Sequence, residues 1–324
     1  MCVANGKIFM DKLNIITIGE VLVELSNNQS LEYADTLDKY FGGDTIASAV
    51  AVSRLGGKVG YITKVASDAF RDFLTGGLVS EGIDITTVTT NEGYNGIYFV
   101  AGCETGKREF AYYRKKSAAS TVTEKDIDEE YIKKADIVYA TGITQSLSLS
   151  VKEAVHKMYS IAKENGITTA YAPNFYSVFW SKEEAREAFE DIKDYIDIIF
   201  INLFYDANEL WEIESYDKIK DMLFDVGIKT VIIKSKEHSG YFVYSGNEKS
   251  FVPFYSNIKI DTTGAGDVFN GAFLYEISKG SSPFKAAETA AVVSGLQVRK
   301  IGAIKSIPTL KEVTAAIQEK NEQQ

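Results

Sequence analysis

The segment Asp261–Phe273, DTTGAGDVFNGAF, collects residue types suited to phosphoryl transfer. Gly264, Ala265 and Gly266 stand just before apolar residues at Val268, Phe269, Ala272 and Phe273, which have helical spacing. The three small residues therefore fall at a helix N-terminus. There the first backbone N–H groups have no intrahelical partner and the helix dipole is positive. Side chains this small let an anion approach the backbone, so the turn can hold a transferring phosphoryl group. Asp267 follows directly. A carboxylate in that place can take the proton of a hydroxyl aimed at the same phosphorus, as a general base. A plain strand-to-helix turn would also use glycine, but it asks for neither the acid nor the flanking Asp261-Thr262-Thr263. The chain has no GxxxxGK[ST] loop and no protein-kinase signature.

The elements that must position this segment alternate along the chain. Strand-like runs are Ile15–Val23, Val59–Lys64, Ile137–Ala140, Thr168–Tyr171, Ile198–Asn202 and Thr230–Lys234, with a further strand-like stretch at Asn257–Ile260. Helical patterns cover Thr45–Leu55, Asp68–Glu81, Lys152–Asn165, Asp217–Val226, Val268–Ser278 and Pro283–Arg299. This alternation predicts an α/β fold with a mainly parallel sheet covered on both faces. Two predicted hairpins break the alternation. One pairs Gly96–Gly102 with Arg108–Arg114 across Glu104-Thr105-Gly106-Lys107, and the other is Gly240–Phe251. The β segments near 20–42 and 96–114 do not fit the parallel sheet and read as a small β appendage. No repeat or linker divides the chain, so residues 1–324 are expected to form one domain. The polar end Glu319–Gln324 reads as a frayed tail.

Composition narrows the partners. The chain has 324 residues, 45% of them apolar, and a formal net charge of −10. No basic stripe is visible, which argues against nucleic acid. An anionic ligand must then be held by local geometry. Cys2 and Cys103 are the two cysteines, so there is neither a disulfide framework nor a zinc spacing. His156 and His238 are the two histidines and read as ordinary surface or loop residues. No membrane span or signal peptide is expected, and the reading is a cytoplasmic protein.

DTTGAGDVFNGAF resembles the C-terminal signature of PfkB-type carbohydrate kinases, and Phe41-Gly42-Gly43-Asp44 resembles their N-terminal glycine signature. Gly302-Ala303-Ile304 and Pro308-Thr309 agree with the family order near the end. The resemblance implies a ribokinase-like three-layer α/β sandwich with a β lid over the sugar, which often mediates homodimerisation. It implies ATP and Mg2+, Asp267 as catalytic base, and an anion hole from Gly264, Ala265 and Gly266. It implies sugar contacts at Gly42, Gly43, Asp44 and Asn174, and nucleotide contacts at Asn202, Ser235 and Gly240. It also implies a monovalent cation, K+ by preference, held by Asp261 and Thr263 with backbone carbonyls around Gln297, Lys300, Gly302 and Ser306.

Within the family, Gly96-Ile97-Tyr98-Phe99 and Tyr112-Tyr113-Arg114 with Ser117-Ala118-Ala119-Ser120 are similar to 2-keto-3-deoxygluconate kinases. Arg114 offers a planar donor for a sugar carboxylate, and Tyr98 and Tyr112 offer hydroxyls and ring faces. The chain departs from that pattern at several places. Ala172-Pro173-Asn174-Phe175-Tyr176 stands where those kinases tend to read Asp-Pro-Asn-x-Arg, so an expected carboxylate-pairing arginine is Tyr176. Ala47 replaces an asparagine, Tyr205 replaces the glutamate of Asn-x-x-Glu, and Asp206 stands beside it. The strand-end motif Lys234–Gly240 keeps only its later glycine. The expected function is an ATP-dependent kinase of a small sugar acid, 2-keto-3-deoxygluconate first; the alternatives are a fructokinase-like kinase of a neutral sugar and a non-catalytic sugar- or nucleotide-binding relative.

Overall fold

The computed structural model describes residues 2–4, 7–9, 12–102 and 108–322. Cys103, the turn Glu104-Thr105-Gly106-Lys107 and the last two residues lie outside the described residues. Eight strands form the large sheet. Their order is Glu248–Pro253, Gly240–Ser245, Thr230–Ser235, Ile198–Asn202, Thr168–Ala172, Ala135–Thr141, Leu13–Ile18 and Val59–Ile62. The six from Thr230–Ser235 to Val59–Ile62 pair in parallel, and the last hairpin adds an antiparallel edge. The parallel strands are apolar almost throughout because both faces are covered. Each fully buried Ile, Leu or Val stabilises the fold by about 1.5–3 kcal/mol relative to exposure.

Two cores lie on opposite faces of this sheet. One joins it to the helices Ile46–Arg54, Ala265–Ser278, Pro283–Gln297 and Leu310–Glu322. The other joins it to Leu149–Glu164 and Tyr216–Asp225. The expected three layers are present.

The run Ile15–Val23 divides between two sheets. Leu13–Ile18 stays in the large sheet, while Leu22–Asn27 enters a small sheet ordered Arg108–Tyr113, Ile97–Gly102, Leu22–Asn27 and Asp38–Gly42. Leu22–Asn27 and Ile97–Gly102 pair in parallel, and the other two pairings are antiparallel. This is the β appendage expected from residues near 20–42 and 96–114.

Two expectations are corrected. Asn257–Ile260 is not a strand: Ile258 and Ile260 face solvent, and the Ile260 and Asp261 amides donate to the Val298 carbonyl rather than to a ladder. Glu319–Glu322 is not a frayed tail but the end of the helix Leu310–Glu322. That helix starts from reciprocal bonds between Thr309 and Glu312, which satisfy amides that a helix leaves unpaired. Leu203–Asn208 forms a π-helical turn, a form that accommodates a one-residue insertion. No helix among the described residues is long and apolar enough to cross a membrane.

After Leu13–Ile18 the chain goes first to one neighbour, Val59–Ile62, and later to the other, Ala135–Thr141. Parallel sheets bind ligands outside the carboxyl ends of their strands at such a reversal. Glu20, Thr141, Asn174 and Asn202 all fall at those ends.

Candidate active site

A cavity of about 510 Å³ opens there, lined from the large sheet, the small sheet and the turn before Ala265–Ser278. Gly264 has φ +72°, a left-handed conformation that costs a glycine little, and the helix starts at the next residue. The Ala265 amide turns back to the Thr262 carbonyl at 3.2 Å, so the Gly266 and Asp267 amides follow it in the first, partner-poor turn. Gly264, Gly266 and Asp267 line the cavity, while Ala265 is buried beneath them. Ser48 Oγ donates to the Asp267 carbonyl at 2.7 Å. Three residues before that serine, the helix Ile46–Arg54 has its N-cap at Thr45. The two helices pack closely because residue 271 is glycine: a Cβ there would lie 2.3 Å from the Ser48 carbonyl oxygen.

Burial raises the Asp267 pKa to about 7. A hydrogen bond from Asn174 and the Lys234 ammonium pull against that rise, while Asp44 adds to it. Asn174 Nδ2 donates to Asp267 Oδ1 at 3.2 Å. A base poised near neutrality suits proton abstraction. Lys234 was not among the expected site residues. Its Nζ lies 4.0 Å from where a Cβ on Gly266 would stand, so the ammonium faces the anion hole. Burial depresses its pKa and Asp267 opposes that. A lysine directly after the apolar run Val231-Ile232-Ile233 was the available signal.

On the sugar side, Asp44 is heavily bonded. Oδ1 accepts the Glu20 amide at 3.1 Å, and Oδ2 accepts the hydroxyls of Thr141 and Thr144. Gly43 and Gly42 make room: a Cβ would lie 2.0 Å from the Glu20 carbonyl oxygen at the first and 2.3 Å from the Tyr98 hydroxyl at the second. Tyr98 donates to Glu24 and stacks on Tyr112 at 5.9 Å. Tyr112 in turn meets Tyr176 and Phe179 edge-on, completing an aromatic wall. Arg114 is buried behind that wall. Its Nε pairs with Glu20, Nη2 donates to the Ile143 carbonyl at 3.2 Å, and the guanidinium lies over Phe179. Glu20 lines the cavity and Arg114 does not. Burial raises the Glu20 pKa to about 7 against the pull of Arg114.

A family model for pfkB family carbohydrate kinases matches residues 12–310. The chain belongs to this family. Among its relatives is a fructokinase-1 of Oryza sativa subsp. japonica, 31% identical over 92% of this chain and 96% of that protein. Another is a 2-dehydro-3-deoxygluconokinase of Thermoproteus tenax, 28% identical over 93% of each chain. A solved putative ribokinase II from E. coli in complex with ATP and Mg2+ superposes with TM-score 0.85 at 27% identity, over 95% of this chain and 99% of that one. The protein is a ribokinase-like carbohydrate kinase, a phosphotransferase.

In this kinase the expected nucleotide residues separate. Asn202 lines the cavity, and its Oδ1 caps the π-helical turn through the Phe204 and Tyr205 amides. Ser235 and Gly240 do not line it. They pair across the hairpin, where Ser235 bonds Tyr216 and His238 and Gly240 packs against Phe251. Among the described residues no group of three acidic, histidine or cysteine side chains could hold a metal alone. Asp206 lines the cavity but accepts the Phe175 and Asn202 amides. The site therefore suits Mg2+ carried mainly by phosphate oxygens and water.

The residues expected around a monovalent cation lie together beside the anion-hole turn. Asp261 Oδ1 accepts the Thr263 amide at 3.0 Å, and Oδ2 accepts the Gly302 amide at 2.8 Å and Arg108 Nη2 at 3.1 Å. The Thr263 carbonyl accepts Gln297 Nε2 at 3.0 Å. The Gly302 carbonyl accepts the amide and hydroxyl of Ser306, and the Gln297 carbonyl accepts the Lys300 amide.

Proposed function

We propose that the protein transfers the γ-phosphoryl group of Mg-ATP to a primary hydroxyl of a small neutral sugar. The pairing of Arg114 with Glu20 carries this reading. It spends the arginine that the sequence offered to a sugar carboxylate and leaves Glu20 and Asp44 facing the same half of the cavity. A substrate carboxylate there, the third, would meet like charge at short range. The aromatic wall suits the apolar face of a sugar ring. Asp267 takes the proton of the attacking hydroxyl, with Asn174 holding the carboxylate in place. The helix N-terminus at Gly264–Gly266 and the Lys234 ammonium stabilise the transferring phosphoryl group. Magnesium, bound through phosphate oxygens, offsets their charge. The small sheet acts as a lid that excludes water. Its outer face, where Tyr113 is 66% exposed and meets Phe99 edge-on, supports pairing of two copies.

One observation favours a sugar acid instead. Burial raises the Glu20 pKa to about 7 against the pull of Arg114, and a neutral Glu20 would free the Arg114 charge for a substrate carboxylate. ADP release from Mg-ATP separates the readings, using fructose, ribose, gluconate, 2-keto-3-deoxygluconate and 2-keto-3-deoxygalactonate as acceptors. Turnover with a neutral sugar supports the first. Turnover restricted to the keto-deoxy acids replaces it with the second.

A further inference from the structure

We propose that Arg108 and Gln297 supply from within the chain the positive charge and the donor that a monovalent cation would supply beside the anion-hole turn, so that turnover needs no such ion. A monovalent cation requires several oxygen atoms whose lone pairs point inward unpaired. Here the Asp261 carboxylate and the Thr263 and Gly302 carbonyls already accept donors, which leaves Gln297 Oε1 as a buried oxygen of the cluster without a partner among the described residues. The Asp261 carboxylate, only 1% exposed, already accepts three donors, one of them the Arg108 guanidinium. The Thr263 carbonyl accepts the carboxamide of Gln297, which is fully buried. The Gly302 carbonyl takes two bonds from Ser306. A further cation would have to displace a guanidinium from a buried carboxylate and would sit against its charge. Arginine is the side chain suited to this place, because it stays protonated and its planar fork matches a carboxylate.

The source of the charge matters as much as its presence. Arg108 opens the strand Arg108–Tyr113 at the edge of the small sheet, whereas Asp261 precedes the catalytic helix by a few residues. Burial raises the pKa of Glu24, on another strand of the same sheet, and Arg108 pulls against that rise. The ion pair thus ties the small sheet directly to the turn that holds the phosphoryl group. An ion from solution would be present whether the sheet was closed or open. A guanidinium on the sheet arrives only with closure.

The test compares KCl, NaCl and choline chloride at equal ionic strength. It reads the melting temperature and thallium(I) binding of the full chain with Mg-ATP, and turnover with whichever acceptor is active. The wild type should melt at the same temperature in all three salts, bind no thallium and turn over at rates within about twofold. Arg108→Gln should lose about tenfold or more in choline chloride and recover several-fold in KCl, with a melting temperature that now responds to K+. Gln297→Ala should gain a K+ response in melting without touching the acceptor. A wild type that K+ stabilises or activates about fivefold overturns the proposal, as does an Arg108→Gln protein with full activity in choline chloride. Melting and thallium binding need no acceptor, so they stand even if the neutral-sugar reading fails.

Discussion

Asn174 donates its side-chain amide to the Asp267 carboxylate at 3.2 Å from a backbone position with φ +43°. Left-handed non-glycine residues are uncommon, and asparagine tolerates the conformation better than most. The conformation follows the carboxyl end of Thr168–Ala172 and aims the amide across the cavity at the base. Asn174→Gly should keep this backbone and lose the bond. Since the bond lowers the Asp267 pKa, the rising limb of kcat/KM against pH should move to higher pH, with about a tenfold loss of kcat at pH 7. An unmoved profile would mean that the bond has no hold on the base.

Asp267→Asn should reduce kcat by about 10²–10⁴ while calorimetric ATP binding persists. In the wild type, kcat/KM should rise with pH through about 7, because the base acts as its carboxylate.

The same group gives a stability signature of opposite sense. Its folded pKa is raised to about 7 from 3.8, so over that interval the folded chain holds a proton that the unfolded chain has released. The contribution is complete below the unfolded value and is lost as pH rises through the folded one. Asp267→Asn should therefore melt a few degrees higher than wild type above about pH 7, with the two converging near about pH 4. Parallel melting curves at all pH values would refute the burial of this carboxylate.

Arg114 lowers the pKa of buried Glu20, so removing it should push that pKa above about 7. Arg114→Met should then lose more melting temperature at about pH 8.5 than at about pH 6, where Glu20 can stay protonated. Glu20→Gln combined with Arg114→Met should remove that pH dependence. If the double variant keeps it, some other pair is responsible.

Gly264→Ala tests the anion hole with little collateral damage. A Cβ there would only touch Ala303 and Ala47 at 3.5 Å, so the loss of stability comes from φ +72° and should be about 1–2 kcal/mol. Turnover should fall by far more than that loss of stability explains.

The large sheet was legible because its parallel strands are buried on both faces and read as short apolar runs between helical patterns. Gly264–Asp267 was legible because an acid after two glycines at a helix start serves few other ends. Pairings between distant strands were not. Nothing near Arg114 in sequence announces that Glu20 will meet it, since that contact exists only once the small sheet folds over the large one. Arg108, among alternating aromatic residues, reads as an outward charge, and Gln297 as one polar position in a helix. The strand-end motif meets a local constraint that its sequence does not announce. Ser235 is bonded to Tyr216 and His238, partners that lie 19 and 3 residues away in the chain.

The contact of Gly271 with Ser48 has a consequence for synthesis on the ribosome. The helix Ile46–Arg54 emerges early, but the helix that covers its Ser48 face is among the last elements translated. For most of translation that apolar face has no native partner, and contacts so distant in sequence form slowly. The base and the anion hole arrive on the same late helix. A nascent chain therefore gains its base and anion hole and covers that helix face in a single docking event.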